Sequence, residues 1–193
     1  MLRDAGIKVV VGLLSDEARK VNEGFLSKVE KGRPFVTLKL ASSLDARSAT
    51  ASGESQWITG EAARQEGHRL RATHDAILVG AKTVLVDDPT LTCRLAGRGH
   101  QSPVRIVLDR VGDVPLSAQL VQTANEVPTW LVTSDANFSE LSEKFEKTSI
   151  KVISAGCAND HLDLHDVMRK LSDAGLTRVL VESGGNLAAA LIS

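Results

Sequence analysis

The clearest candidate for ligand chemistry is Ser183-Gly184-Gly185-Asn186, which directly follows the apolar run RVLVE ending at Glu182. Two glycines between a buried strand and a helix leave backbone N–H groups accessible, and such groups bind phosphate with the help of the helix dipole. The segment lacks GxGxxG spacing, so it does not predict a Rossmann dinucleotide-binding turn. The alternative is a plain tight turn, where glycine is also common.

Two ionisable residues stand on otherwise apolar strands. Glu182 closes residues 178–182 and is a candidate hydrogen-bond acceptor or proton-transfer group, the alternative being a solvated strand end. Lys39 lies within residues 35–41, where the opposite face carries Val36, Leu38 and Leu40. Lys39 therefore either extends to solvent or faces a cavity that holds an anion or an electron-rich ligand.

Further polar residues follow or flank the predicted strands. Asp87 and Asp88 precede Pro89, so one acid can shape a turn while the other points into a cleft. Guanidinium groups pair well with phosphate oxygens, so five arginines are candidate phosphate ligands: Arg64, Arg69, Arg71, Arg94 and Arg98. The alternative is a solvated surface position, and Arg71 and Arg94 carry more weight because they lie beside a helix end and a loop. The histidines show no metal-ligand spacing, and His161 and His165 fit the start of a helix better.

The elements that would position these residues alternate along the chain. Apolar runs predict strands at residues 35–41, 76–80, 104–109, 129–133, 150–154 and 178–182. Helical patterns occupy residues 16–31, 60–72, 139–147 and 163–174, with a further helix beginning in GNLAAALIS. This alternation predicts an α/β fold with a mainly parallel sheet. Ligands of such sheets bind at the carboxyl ends of the strands, where the candidate residues lie.

The loop GESQWIT, residues 53–59, combines polar side chains with Trp57, one of two tryptophans in the chain. The indole either fills the core or forms a flat wall for an aromatic ligand. Thr59 is predicted to be the N-cap of the helix that leads to Arg71.

Composition excludes several classes of protein. The net charge of −1 over 193 residues gives no nucleic-acid footprint, and no apolar run approaches the length of a membrane span. No signal peptide is visible, and Cys93 and Cys157 form no CxxC pair. We therefore expect one domain in the reducing cytoplasm. Both ends of the chain have the pattern of a fragment.

Four segments together resemble a known family: KLASSLDARSATASGESQWIT, RLRATHDAILVGAKTVLVDDPTLTCR, RIVLDR and VLVESGGNLAAAL. They are similar to the reductase domain of the bifunctional riboflavin-biosynthesis deaminase/reductase. The resemblance covers residues 22–193, while residues 1–21 resemble the end of the preceding deaminase domain. It implies a dihydrofolate-reductase-like, three-layer α/β/α fold whose C-terminal strands are missing here, and a homodimer in the full-length protein. The HxE and PCxxC zinc signature of the deaminase is absent.

The resemblance also implies an activity. NADPH would reduce 5-amino-6-(5-phosphoribosylamino)uracil by hydride transfer to the ribose C1′, giving the ribityl chain without a metal. The alternatives are another NADPH reductase of the dihydrofolate type and a non-catalytic nucleotide-binding module.

Functional residues follow from the same motifs. The implied catalytic residues are Lys39 and Glu182. The implied substrate ligands are Ser55, Thr59, Arg71, Leu91, Arg94 and Glu182. The implied NADPH ligands are Ala41, Trp57, Thr83, Asp87, Arg110, Gly184, Gly185, Asn186, Leu187, Ala188, Ala189 and Ala190, with Arg110 placed for the 2′-phosphate.

Two positions depart from the family pattern. Ala46 stands where the family usually has glycine, so a positive φ at this position would cost about 1 kcal/mol. Lys82 stands where a small residue is common and would crowd the cofactor entrance.

Overall fold

A computed structural model describes residues 1–52 and 58–192 of the chain. Its centre is a six-stranded, fully parallel sheet in the order β1-β8-β2-β3-β4-β5. A separate antiparallel hairpin joins β6 and β7. The strands are β1 Phe35–Lys39, β2 Ala76–Gly80, β3 Val104–Leu108, β4 Thr129–Ser134, β5 Ile150–Ala155, β6 Cys157–Ala158, β7 His161–Leu162 and β8 Arg178–Glu182.

Helices connect the strands and cover both faces of the sheet. They are α1 Ser15–Val21, α2 Glu23–Lys31, α3 Glu61–Thr73, α4 Ala81–Asp87, α5 Gln119–Gln122, α6 Phe138–Lys144, α7 Leu164–Asp173 and α8 Gly185–Ile192, with short 3₁₀ turns at Gly99–Gln101 and Asp135–Asn137. Among the described residues, no helix is long and apolar enough to cross a membrane.

Strand β2 shows why two layers of helix are needed. Its residues from Ala76 to Val79 have no exposed surface, and alternate side chains enter two separate clusters. Ile77 and Val79 pack in a cluster with residues of α4, α5 and α6, whereas Ala76 and Leu78 pack with residues of α7. Continuous apolar character in a strand reflects burial on both faces. The predicted three-layer arrangement is therefore confirmed.

Several predicted boundaries are wrong for local reasons. The helix predicted over residues 16–31 divides at Asn22, whose side-chain amide donates to the Ala18 carbonyl in competition with the backbone. Strand β1 ends at Lys39, and Leu40 beyond it is 55% exposed. The short helix α4, directly after β2, was not among the predicted helices.

Arg105 on β3 is fully buried, although the sequence RIVLD reads as an apolar strand. Its guanidinium donates to Thr129 Oγ1 at 2.9 Å and to the carbonyl oxygens of Leu120, Thr123 and Val127 at 2.9–3.1 Å. It also donates to Thr123 Oγ1 and to the Thr90 carbonyl. Burial lowers the pKa of Arg105 to about 10, partly opposed by Glu126, so the group remains charged at neutral pH. These oxygens replace the water that the cation loses.

His74 links the end of α3 to β1. One ring nitrogen lies 2.7 Å from the Leu70 carbonyl and the other 2.8 Å from the Thr37 hydroxyl. The carbonyl can only accept, so Nδ1 carries the proton and Nε2 accepts from Thr37. Burial lowers the pKa of His74 below its ordinary value of 6.5, with Arg178 adding to the effect. The fold therefore favours the neutral imidazole.

This arrangement predicts an acid-sensitive contribution to stability. Because the folded-state pKa of His74 is depressed, its contribution is complete above pH 6.5 and is lost as the pH falls through the folded-state value. Urea unfolding between about pH 8 and pH 5 should show this loss, and the His74→Asn variant should show a smaller one. An unchanged pH dependence in the variant would contradict the assignment.

Ala46 occupies the left-handed region with φ 61°, as expected if the family's glycine serves that conformation. The surrounding turn is closed by Ser43, whose N–H donates to the Arg47 carbonyl at 2.9 Å and whose carbonyl accepts from the Ala46 N–H at 3.0 Å. Ala46 is exposed, so burial of its methyl group does not offset the strain.

Ala46→Gly is accordingly expected to stabilise the protein by about 0.5–1 kcal/mol, since relief of left-handed strain exceeds the added unfolded-state entropy. The urea midpoint measures the change. Ala63→Gly, at an exposed position of α3, is the matched control and should destabilise by about 0.5–1 kcal/mol. Equal effects at both positions would refute the conformational explanation.

Candidate active site

Lys39 and Glu182 meet at the carboxyl edge of the sheet. They are direct partners in the parallel register of β1 and β8, and both are the last residues of their strands. Val36 and Leu38 pack with the α7 cluster, so the alternation of β1 sends Lys39 to the opposite face. Lys39 Nζ lies 3.7 Å from Glu182 Oε2. The sheet therefore brings the two predicted catalytic residues together.

Arg71 of α3 fixes the carboxylate of Glu182. Its Nε donates to Oε1 at 2.8 Å and its Nη2 donates to Oε2 at 2.9 Å, while Nη1 donates to the Thr92 carbonyl at 3.0 Å. Side-chain exposure is only 14% for Arg71 and 13% for Glu182. Burial alone would raise the pKa of Glu182, but Arg71 and Lys39 outweigh it and hold the pKa below 4.5. Glu182 is thus an anion at neutral pH.

The loop of residues 88–94, called the tethered loop below, is held along its length. Asp88 caps α5 by accepting from the Gln119 N–H at 2.8 Å, and Arg105 and Arg71 bind the carbonyls of Thr90 and Thr92. Of the two acids before Pro89, one was expected to shape a turn, and Asp88 does so. Asp87 is exposed.

In this region the backbone of Leu91 makes a sharp turn, and the backbone of Thr59 accepts a hydrogen bond. Leu91 has φ 51° and its side chain is only 4% exposed within the core, so the chain turns sharply here around an apolar anchor. Thr59 is not the N-cap of α3, because Gly60 takes that position without a side-chain hydrogen bond. The Thr59 carbonyl instead accepts from Arg64 Nη1 at 2.8 Å.

Arg94 ends the tethered loop with an exposed side chain. Its backbone N–H donates to Nδ1 of His68 at 3.3 Å, and its guanidinium makes no ion pair within the described residues. His68 was not predicted as a site residue, although it lies one helical turn before Arg71 on α3. That spacing of three residues places the two side chains on one face of the helix and was the available signal.

A cleft of about 610 Å³ opens on the other side of the same sheet edge. Its lining contains Arg110 from the loop after β3 and four residues of α8, together with residues of the β7 region, which the sequence did not predict as part of a site: Leu108, Arg110, His161, Leu162, Leu164, Asn186, Leu187, Ala189 and Ala190. Lys39 and Glu182 are outside this lining. The structure thus joins Arg110 to the segment after β8, as the cofactor prediction requires.

The backbone at Arg110 is rigidly held. Its carbonyl accepts from Thr133 Oγ1, Ser134 Oγ and Asn137 Nδ2 at 2.9–3.1 Å. The buried Asp109 carboxylate next to it accepts three backbone N–H groups of the following loop at 2.9 Å. The exposed guanidinium of Arg110 therefore extends from a fixed base, and it forms no ion pair with a described residue.

The remaining predicted cofactor residues are spread around this edge. Gly184 and Gly185 are exposed, and a Cβ at either would meet nothing within 4 Å. Ala188 is 4% exposed and faces the core. Ala41 follows β1, and Thr83 and Asp87 belong to α4. None of these three residues is part of the cleft lining. Ser55 and Trp57 lie outside the described residues.

Comparison with known proteins decides the family. A family model described as the RibD C-terminal domain matches residues 34–193. The chain belongs to the RibD C-terminal domain family. Among curated relatives, the riboflavin biosynthesis protein RibD of Bacillus amyloliquefaciens is 40% identical over 187 residues, which are 97% of this chain and 49% of the relative.

Solved structures of RibD proteins superpose closely. Acinetobacter baumannii RibD, form 1, gives a TM-score of 0.83 at 34% identity over 99% of this chain and 51% of that chain. A Thermotoga maritima protein, named as a diaminohydroxyphosphoribosylaminopyrimidine deaminase/5-amino-6-(5-phosphoribosylamino)uracil reductase, gives 0.75 at 33% identity over 95% and 48%. The chain spans about half the length of these relatives. The predicted dihydrofolate-reductase-like fold is confirmed.

No group of three or more His, Cys, Asp or Glu side chains that could hold a metal is found in residues 1–52 and 58–192. Asp163 caps α7 by accepting from the His165 N–H at 2.9 Å, which confirms that His165 belongs to a helix start. The same prediction is wrong for His161, which lies on strand β7.

Proposed function

We propose that this RibD C-terminal domain is an NADPH-dependent reductase of 5-amino-6-(5-phosphoribosylamino)uracil, acting in riboflavin biosynthesis. The observation that carries the proposal is the Lys39–Glu182 pair, held by Arg71 at a sheet edge that also bears the glycine turn and the Arg110 cleft. The substrate is the one named for the reductase activity of the Thermotoga maritima relative. Function at such an edge agrees with the position of ligands on open α/β sheets.

Lys39 and Glu182 are assigned different roles because their protonation differs. Glu182 is anionic and oriented by Arg71, so it accepts a hydrogen bond from the ribose or its amino nitrogen. The Lys39 ammonium is a donor and protonates the ring oxygen as its bond to C1′ breaks. The product of that step is a protonated imine, with the ring oxygen becoming the 4′-hydroxyl and Lys39 later regaining a proton from water.

The substrate phosphate is assigned mainly to Arg94. The Arg94 guanidinium is exposed, whereas Arg71 already gives three of its five N–H groups to Glu182 and Thr92. Arg71 therefore acts chiefly on the carboxylate, with its two other N–H groups directed to a ligand. Ser55, Thr59 and Leu91 remain proposed substrate contacts, those of Thr59 and Leu91 being made by their backbone.

The residues present fit NADPH. The open space around Gly184 and Gly185, at the N-terminus of the eight-residue helix α8, suits a pyrophosphate. The adjoining sugar is assigned to the cleft residues of the same helix, Asn186, Leu187, Ala189 and Ala190. Bound NADPH would supply the hydride that C1′ receives. Ala41, Trp57, Thr83 and Asp87 remain proposed contacts toward the nicotinamide half.

The position of Arg110 leads us to expect that the chain prefers NADPH to NADH. Arg110→Gln is expected to weaken NADPH binding about 10- to 100-fold, because one charge-assisted contact with the 2′-phosphate is lost. NADH binding should change less than about twofold, since that cofactor lacks the phosphate. Calorimetric Kd values for both cofactors measure the difference. Equal losses of affinity for NADPH and NADH would show that Arg110 does not act through the 2′-phosphate.

The proposed reaction is tested by incubating the chain with substrate and NADPH and following the loss of NADPH absorbance. Substrate-dependent oxidation supports the proposal. Oxidation with dihydrofolate but not with the ribosylaminouracil would favour a different reductase, and cofactor binding without any turnover would favour a non-catalytic module. The homodimer of the full-length protein and its location in the cytoplasm stay predictions, as does the absence of nucleic acid among its partners.

A further inference from the structure

We infer that His68 is a positioning residue for Arg94, holding the tethered loop of residues 88–94 only while its imidazole is neutral. The inference deepens the proposed function and rests on it, because it concerns the phosphate side of the same site. Its consequence is that binding of the phosphorylated substrate depends on the protonation state of a residue that does not contact the reacting atoms.

Two contacts attach His68 to the end of the tethered loop. Its backbone carbonyl lies 3.5 Å from the thiol of Cys93, and its Nδ1 lies 3.3 Å from the Arg94 N–H. The Arg94 N–H can only donate, so Nδ1 must be the unprotonated nitrogen and the neutral ring carries its proton on Nε2. Cys93 is further held by Ser102, whose Oγ accepts from the Cys93 N–H at 3.1 Å. The guanidinium of Arg94 therefore projects from a backbone fixed on both sides.

The charges around His68 disfavour its protonation. Burial lowers the pKa of His68 below 6.5, and the cations of Arg71 on its own helix and Arg94 on the loop lower it further. Glu182 on β8 and the Thr92 carbonyl act in the opposite direction without cancelling these effects. The neutral ring thus prevails at pH 7, and protonation follows only below pH 6.5.

Protonation would undo the positioning. An imidazolium has N–H groups at both nitrogens and cannot accept from Arg94, and its charge would repel the two neighbouring arginines. We therefore expect the phosphate site to loosen as the pH falls. Protonation of the substrate phosphate, whose second pKa is about 6, weakens binding in the same range, so the contribution of His68 must be separated by substitution.

Two variants make that separation. In His68→Asn, the side-chain amide oxygen would take the place of the imidazole Nδ1 and accept from the Arg94 N–H without titrating, whereas His68→Leu removes the acceptor. The probe is ribose 5-phosphate, which carries the phosphorylated sugar of the proposed substrate. Its Kd is measured by calorimetry at about pH 8 and about pH 5.5 for the wild-type chain and both variants. NADPH binding by each protein confirms that the fold is retained.

At the higher pH, His68→Leu should bind ribose 5-phosphate about tenfold more weakly than the wild type, while His68→Asn should match it. On acidification the wild type should lose about tenfold more affinity than His68→Asn. Equal acid losses in these two proteins, wild-type affinity in His68→Leu, or tighter acid binding by the wild type would overturn the inference. A wild-type chain that binds NADPH but not the sugar phosphate would refute the proposed substrate, and the inference with it.

Discussion

Glu182→Gln is expected to lower kcat for the proposed reduction by about 10²- to 10⁴-fold, the usual effect of removing a positioned proton-transfer or charged group. Glutamine keeps the shape of the side chain and can accept one bond from Arg71, but it removes the anion beside Lys39. The substrate KM should change much less, because the phosphate is held by Arg94. Steady-state kinetics with NADPH saturating measure both constants.

Lys39→Met should produce a loss of similar size, since it removes the proposed proton donor and keeps the length of the side chain. Glu66→Gln is the matched control, because Glu66 is an exposed acid of α3 that is paired with Arg69 away from the site. Its kcat should stay within about twofold of the wild-type value. Turnover that survives in both Glu182→Gln and Lys39→Met would remove these residues from the chemistry.

Arg105→Met is expected to reduce the free energy of unfolding by about 3–5 kcal/mol, the range for breaking a buried charged network. Methionine fills much of the volume, but the carbonyls of Thr90, Leu120 and Val127 lose a buried donor. Each unsatisfied carbonyl costs about 1–3 kcal/mol, which outweighs the desolvation relieved by removing the cation. Urea unfolding followed by circular dichroism measures the loss.

Two comparisons sharpen this result. Arg105→Lys keeps the charge but replaces a planar fork by a single ammonium, so it should also destabilise, by about 2 kcal/mol or more. Arg69→Met, at a side chain that is 58% exposed, should change stability by less than about 1 kcal/mol. A lysine variant as stable as the wild type would show that charge, and not the fork of donors, is what the site requires.

The strands with the strongest sequence signal were predicted best. β2 and β8 have the predicted limits, because each is a continuous apolar run closed by a residue that cannot continue inside the sheet. β1 was predicted two residues too long, since Leu40 continues the alternation but has no neighbour to cover it. The β6–β7 hairpin was not predicted, because strands of two residues are too short to show a hydrophobic alternation.

The sequence suggests residues for the candidate site, but it does not reveal the contacts between them. Lys39 and Glu182 follow from an ion on an apolar strand, but the register that pairs them depends on a partner strand more than 130 residues later in the chain. The bidentate hydrogen bond from Arg71 to Glu182 and the hydrogen bonds of the Arg105 guanidinium also join segments that are distant in sequence, so the sequence does not reveal them. No local pattern distinguishes a buried arginine among convergent carbonyls from a solvated one on a strand.

The most direct test of the central claim follows the hydrogen that the reaction transfers. The chain is incubated with 5-amino-6-(5-phosphoribosylamino)uracil and NADPH deuterated on the transferred position of the nicotinamide C4, and the product is examined by mass spectrometry and NMR. We predict a ribityl product that carries one deuterium, bonded to C1′. A product without deuterium at C1′, or intact substrate in the presence of bound NADPH, would contradict the proposed function.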